Sequence, residues 1–360
     1  MQKAEHHIHV EYYIFKPDEI GTRWRDLLTE KARAGVKVRM LVDAVGSGRC
    51  RKDFWKPLRE AGGEVRVFNP PRFLPFRPSM VNFRTHRKIV VIDALYGFTG
   101  GINVERVESV ACTGTTAWRD THLALKGSAA LDLQRIFLED WLYAGTSSGH
   151  LARLDKALTT PQDILAWFPL PADEPRDESQ PWVQIIDSGP DRSEYAICRY
   201  FFAAMSSARR RIWITTPYFI PDESILTALT IAAGRGLDVR LLVPMESDQL
   251  LTGLAASTFV EEVLARRVKV YAYVPRFIHA KTLVIDDELS MIGTANMDNR
   301  SFRLNFEVMA AIYDKKTTSE MARQFLKDLE SATQLHADHQ PDSFNQRMVA
   351  SLARLAAPLL

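Results

Sequence analysis

Cysteine is scarce in this chain. Only three of 360 residues are cysteines, Cys50, Cys112 and Cys198, odd in number and far apart. That pattern supports neither a disulfide framework nor a thiolate metal site, and it reads as reduced structural thiols. Long apolar runs are missing too: none approaches the ~18 residues of a membrane-spanning helix. An excess of one charge is also lacking. Lys and Arg number 46 against 44 Asp and Glu, a formal net charge of +2, which argues against a strong nucleic-acid footprint. The opening MQKAEHHIHVEYYIF has no signal-peptide pattern and runs directly into strand-like residues.

What the chain does have is a duplication. His86, Lys88 and Asp93 stand in an H-x-K-x4-D spacing, followed by Gly100, Gly101 and Asn103. His279, Lys281 and Asp286 repeat it, followed by Gly293, Thr294 and Asn296. After each Lys comes a β-branched, apolar run, Ile89 to Ile92 or Thr282 to Ile285, which reads as a strand entering a hairpin. Residues i and i+2 share a strand face, so each His projects beside its Lys. The Gly permits close backbone approach on the returning strand, and the Asn adds an amide. One copy offers an imidazole, an ammonium and an amide. Two copies face to face suit a phosphodiester: cations and donors hold the oxygens, one His attacks and the other protonates the leaving group. Metal binding fits poorly, because Lys repels a cation and the Asp lies an odd number of residues from its His. Asp93 and Asp286 therefore read as turn residues that brace the motif.

The duplication extends beyond the motif. IHVEYYIFKPDE at 8–19 matches IWITTPYFIPDE at 212–223, and GVKVRMLVD matches GLDVRLLVP. The first half reads βαβαβ: strands at 8–19, 36–43 and 64–68, with helices carrying Trp24, Leu27, Leu28 and Ala32, then Phe54, Trp55 and Leu58. A strand at 118–127 precedes a helix with Leu133, Phe137 and Trp141. Thr317 and Glu320 suggest a capping box before a helix bearing Met321, Phe325 and Leu329. The expected division is a first domain at 1–150, a polar, Pro-rich linker at 151–182, a second domain at 183–340 and a C-terminal amphipathic helix at 341–360.

The flanks NFRTHRKIVVID, GFTGGIN, WRDTHLALKG, TTPYFIPDE and HAKTLVIDDELSMIGTANMDNRSFRLNFE resemble those of bacterial cardiolipin synthases, of the phospholipase D superfamily. Many of those carry N-terminal spanning helices, and this chain begins directly at a strand. The resemblance implies an α/β fold of two similar phospholipase-D-like domains, each a mixed β-sheet flanked by helices and related by a pseudo-twofold axis. It implies phosphatidyl transfer between two phosphatidylglycerol molecules, giving cardiolipin and glycerol without cofactor or metal. His86 is then the nucleophile that forms a phosphohistidine, and His279 the acid and base. Lys88, Lys281, Asn103 and Asn296 hold the phosphoryl oxygens. Glu307 resembles the family's histidine-orienting carboxylate, and Asp120 looks like its counterpart in the first half. Asp93 and Asp286 belong to the family motif.

The spacing alone also suits a phospholipase D, another phosphatidyltransferase, a nuclease or a non-catalytic lipid-binding module. Intact motifs in both halves argue against the last. The expected partners are glycerophospholipids and a membrane surface, with no nucleic acid, and the expected location is peripheral on the bacterial cytoplasmic membrane. Two stretches suit lipid contact: the loop with Phe73, Leu74, Phe76 and Met80 among Arg72, Arg77 and Arg84, and the C-terminal helix with Met348, Leu352 and Leu355.

Overall fold

Each half of the chain is built on a mixed sheet whose central strands are the apolar runs that follow the motif lysines. The computed structural model describes residues 1–70, 82–145, 180–192, 194–336, 344–355 and 357–359. The loop with Phe73, Leu74, Phe76 and Met80, and linker residues 151–179, lie outside the described residues. The chain divides into two units. One comprises Met1–Gly114 with His122–Gln180, the other Thr115–Thr121 with Pro181–Leu360.

In the first unit, β1 (His7–Tyr12), β2 (Lys37–Asp43) and β3 (Glu64–Phe68) run parallel, linked by α1 (Glu19–Arg33) and α2 (Lys56–Glu60). β4 (Lys88–Ile92) then pairs antiparallel with β1, followed by β5 (Tyr96–Gly100) and β6 (His122–Lys126). Every residue of β1 and β4 is buried. Helices cover both faces of these central strands, so β4 after its lysine is a continuous apolar run, while β1 (HIHVEY) alternates and buries His7, His9 and Glu11. α1 starts where the Asp18 side chain accepts the Gly21 N–H, and it packs Leu28 and Ala32 on Ile8, Val10 and Met40. α3 (Ser128–Gly145) lies on β4 and β5 through Leu133, Phe137 and Trp141.

The second unit repeats this plan and extends it. Its sheet runs β16 (Ala332–Gln334), β11 (Lys269–Tyr273), β10 (Asp238–Pro244), β8 (Arg211–Thr215), β12 (Thr282–Ile285), β13 (Leu289–Gly293) and β15 (Asn305–Tyr313), with β7 (Trp182–Ser188) on β15. β8 (Arg211–Thr215), β10 (Asp238–Pro244) and β11 (Lys269–Tyr273) are parallel, with α5 (Glu223–Gly234) and α6 (Leu250–Leu264) between them. β12 (Thr282–Ile285), β13 (Leu289–Gly293) and β15 (Asn305–Tyr313) continue antiparallel from β8. β16 (Ala332–Gln334) closes the far edge on β11. β9 (Phe219–Ile220) and β14 (Met297–Asp298) form a small parallel pair beside the sheet.

Four sequence expectations change. The strand expected over 212–223 is only β8, because Pro217 lacks an N–H and breaks the run before β9. β7 (Trp182–Ser188) was not anticipated: it follows the polar linker and pairs with β15 across its whole length. The helix expected before the second half's first strand, at Ala204 to Arg211, stands earlier, as α4 (Ala196–Ser207). The expected capping box at Thr317 is not the helix start. α8 (Lys315–Leu329) begins earlier, with the Asp314 carboxylate accepting the Thr317 N–H at 2.6 Å. Thr317 therefore lies inside the first turn, and its hydroxyl donates to the same Asp314 carboxylate at 2.7 Å.

The C-terminal helix α9 (Phe344–Leu355) packs on α6 through the small residues Ala350 and Ala353, and Arg354 pairs with Glu262 at 2.6 Å. Met348, Leu352 and Leu355 remain exposed. Among the described residues, no helix is long and apolar enough to cross a membrane.

The motif aspartates close the same device in both units. Asp93 and Asp286 adopt left-handed backbone, φ 54° and 50°. Asp93 accepts the N–H groups of Glu5, His6 and His7 at 2.8–2.9 Å. Asp286 accepts those of Arg209, Arg210 and Arg211 at 2.8–3.0 Å. Each carboxylate thereby ties the hairpin turn to the start of the first strand. Burial pushes both carboxyls up, but the three N–H donors outweigh it and hold them below the ordinary 3.8. A depressed carboxyl adds stability above its unfolded value and loses it as pH falls through its folded value. Asp93→Ala and Asp286→Ala should each cost about 1–3 kcal/mol at neutral pH. In thermal melts the gap to wild type should shrink below pH 3.8. A gap that persists unchanged at pH 2 would assign the loss to something other than the ionised carboxylate.

Candidate active site

The first half-site stands at the start of β4. His86 is nearly buried, with its ring edge-on to Tyr13 at 5.1 Å. Lys88 is fully buried, and its Nζ donates to the His86 carbonyl at 2.8 Å. That bond curls the ammonium back beside its own histidine. The neighbours of His86 are anchored on both sides: the Thr85 hydroxyl donates to Glu11, and Arg87 pairs with Asp140 of α3. Glu11 and Asp140 are both buried, and burial followed by the Asp140 charge pushes the Glu11 carboxyl well up. Asn103, after β5, gives both its backbone N–H and its Nδ2 to Glu108 at 2.8 Å. Its Oδ1 is buried without a hydrogen-bond partner among the described residues.

The second half-site has the same plan at the start of β12. Lys281 Nζ donates to the His279 carbonyl at 2.5 Å. The backbone N–H of Asn296 donates to Ser301 Oγ at 3.1 Å, and its Oδ1 is likewise buried without a partner among the described residues. The acceptor for the Asn backbone lies five residues on in both copies, as a glutamate in one and a serine in the other. Gly293 is required here: a Cβ would sit 2.3 Å from the Val308 carbonyl oxygen. Thr294 hydrogen-bonds Glu307, which is fully buried on β15 and also accepts from Asn305 Nδ2 at 3.3 Å.

Asp120 is the main departure from the sequence reading. It looked like the carboxylate of the first half, yet Thr115–Thr121 belongs to the second unit. There Asp120 Oδ2 accepts from His279 Nδ1 at 2.7 Å. The reason is a short backbone ladder that sequence order hides. Arg119 N–H donates to the Phe277 carbonyl at 2.9 Å, and His279 N–H donates to the Arg119 carbonyl at 2.7 Å. Trp118 packs on the Phe277 and His279 rings, with centroids 4.6 and 5.5 Å apart. The Arg119 guanidinium grips both Asp328 oxygens, at 3.1 and 2.8 Å. Trp118, Arg119 and Asp120 thus act as packer, anchor and acceptor.

The electrostatics follow. Burial pushes the Asp120 carboxyl up, but Lys281, the His279 hydrogen bond and the Thr121 N–H together hold it below the ordinary carboxylate range. Asp120 stays ionised and accepts the Nδ1–H hydrogen bond, so the lone pair of the neutral ring lies on Nε2. The same carboxylate stabilises the ring once it is protonated. Each half therefore carries a buried cation and an imidazole, a combination that handles the proton and charge traffic of phosphodiester exchange. Glu108, Arg119, Trp118 and Asp328 escaped the sequence reading as site residues. The WRDTH string was the only signal for two of them.

Comparison with known proteins places this architecture. The family model described as "Cardiolipin synthase, PLD-like domain" matches residues 1–141 and 201–329. A cardiolipin synthase of Geobacillus sp. (strain WCH70) is 44% identical over 361 residues, covering 100% of this chain and 69% of that protein. Cardiolipin synthase 2 of Bacillus cereus is 42% identical, covering 100% of this chain and 67% of that one. Among solved structures, the phosphatidylserine synthase of Haemophilus influenzae Rd KW20 superposes with a TM-score of 0.72 at 14% identity. It covers 100% of this chain and 91% of its own. The polyphosphate kinase of Porphyromonas gingivalis gives 0.58 at 12% identity, covering 99% of this chain and 50% of its own. These two likenesses concern the fold.

Asp120→Asn preserves shape but turns the acceptor into an amide that also donates. It should lower kcat by roughly 10²–10⁴-fold while leaving vesicle binding intact. Asp120→Glu should recover part of the loss. Wild-type turnover in Asp120→Asn would mean that His279 is oriented by another group.

Proposed function

The chain belongs to the cardiolipin synthase family, with its phospholipase-D-like fold, and from that premise we propose that it joins two phosphatidylglycerol molecules into cardiolipin and releases glycerol. The observation that carries this reading is the paired half-site: a buried lysine curled onto the carbonyl of its own histidine, present twice. An ionised acceptor on His279 adds the means to store a proton.

In the proposed reaction the His86 imidazole attacks phosphorus. The bond from phosphorus to the terminal glycerol oxygen breaks, and His279 passes its proton to that oxygen. The products of this step are a phosphatidyl-histidine and free glycerol. His279, now neutral, takes the proton from the hydroxyl of a second phosphatidylglycerol. That oxygen attacks phosphorus, the P–N bond breaks, and both histidines return to their starting states. Splitting the displacement in two lets an alcohol replace water as acceptor.

Lys88 and Lys281 neutralise the phosphoryl oxygens. Asn103 and Asn296 complete the substrate set, and Glu307 is the second carboxylate of the catalytic group. The amide that Asn103 presents is its acceptor oxygen, since Nδ2 is engaged by Glu108. That suits a glycerol hydroxyl better than an ionised phosphoryl oxygen. The work takes place at the surface of the bacterial cytoplasmic membrane, where both substrates reside.

Purified protein incubated with phosphatidylglycerol vesicles should yield cardiolipin and glycerol in equal amounts by mass spectrometry. Phosphatidic acid as the main product would make the protein a hydrolase instead. His86→Ala should form no phosphoenzyme, His279→Ala should accumulate some of it on His86 from a donor with an activated leaving group, and both should lose at least about 10³-fold in turnover. Label recovered on His279 would reverse the two roles.

A further inference from the structure

The helix α6 is apolar beyond what its core contacts need. Its sequence is LLTGLAASTFVEEVL, and only Thr252, Ala255, Phe259 and Val263 are buried, one stripe facing the core. A second stripe, Leu254, Ala256, Val260 and Leu264, is only half-buried. It forms one wall of a cavity of about 730 Å³ within the second unit. Pro217, Phe219 and Val243 form the opposite side, at the carboxyl ends of the parallel strands. The exposed Ser257 and Glu261 mark where the cavity opens to solvent. A largely apolar cavity of this size, with a few polar groups at one edge, is built for an apolar ligand.

Its position says which one. Tyr218 lines the cavity, and its hydroxyl is tethered to Asp248 at 2.7 Å. The same ring lies 6.5 Å from Phe277, which lies 6.1 Å from His279. The other link to the half-site is backbone: β9, which carries Phe219, pairs with Met297, directly after Asn296. The cavity is therefore separated from the reacting imidazole by two rings. Met245 lines the cavity and is exposed, and Leu250 and Leu251 at the start of α6 are exposed as well, Leu250 by 82%. Val274 is exposed too, next to Tyr273, whose carbonyl accepts the Met245 N–H at 3.0 Å. Exposed large apolar side chains of this kind suit contact with bilayer hydrocarbon.

We propose that this cavity between α6 and the ends of β8 and β10 holds an acyl chain of a glycerophospholipid whose phosphate is at His279, with the exposed Met245 at its rim facing the membrane. The proposal rests on the phosphatidyl-transfer reading for the identity of the headgroup, and on the cavity alone for the chain. A phosphatidylglycerol probe with a diazirine near the end of one acyl chain tests it directly. Photolysis in mixed micelles, followed by peptide mass spectrometry, should place the label within residues 250–265. Ala256→Trp and Val260→Trp project a ring into the cavity from half-buried positions and should cut that labelling at least fivefold.

The same variants should lose at least tenfold more activity on dioleoyl- than on dihexanoyl-phosphatidylglycerol, and retained dihexanoyl turnover reports a folded site. Label confined to other peptides, or equal in wild type and both variants, overturns the acyl site whatever the activity. Wild-type protein that labels at 250–265 yet makes no cardiolipin supports the acyl site and overturns the transferase reading instead.

Discussion

Two ammonium groups buried two residues from two imidazoles set the terms for the rest of this structure. A buried charge is tolerated only when it is paired and hydrogen-bonded. Lys88 and Lys281 meet the first part of that demand within their own motif, by donating to the carbonyl of the preceding histidine. This is possible because i and i+2 lie on one face and the chain leaves regular strand pairing at the histidine. The consequence is functional. The cation and the imidazole are held together before any substrate arrives, so little reorganisation remains for the reaction.

That arrangement needs a stiff backbone, and the two units supply it in matching ways. Each motif strand is buried on both faces between the first strand and the returning strand. Each hairpin turn is closed by an aspartate in left-handed backbone that collects three successive N–H groups. A helix aspartate grips an arginine beside each histidine's segment, Asp140 with Arg87 and Asp328 with Arg119. The arginines come from different places in the chain, so the support is shared in chemistry rather than in register.

The differences between the halves matter as much. Glu108 holds Asn103 through two bonds, whereas Ser301 holds Asn296 through one. His279 has an aspartate at Nδ1 and two aromatic rings against it, and Tyr13 stands edge-on to His86. The second unit also carries the apolar cavity. A transfer with distinct attacking and proton-handling steps calls for halves that are alike in charge and unlike in surroundings.

Local chemistry made much of this legible in the sequence. The strand positions, the pairing of His with Lys, the bracing aspartates and the duplicated plan all follow from side-chain periodicity and turn geometry over a few residues. Gly293 was legible as a close approach, and Glu307 as a carboxylate of interest. Tertiary structure alone decided what depends on segments distant in the chain. Asp120 lies much nearer to His86 than to His279 in sequence, yet a ladder across 159 positions delivers it to His279. β7 exists only because β15 offers it an edge, and the α8 cap is Asp314 rather than Thr317, which lies inside the first turn. The second apolar stripe of α6 looks like core in the sequence. It becomes a cavity wall because Pro217, Phe219, Val243 and Ala350 border the same space without filling it.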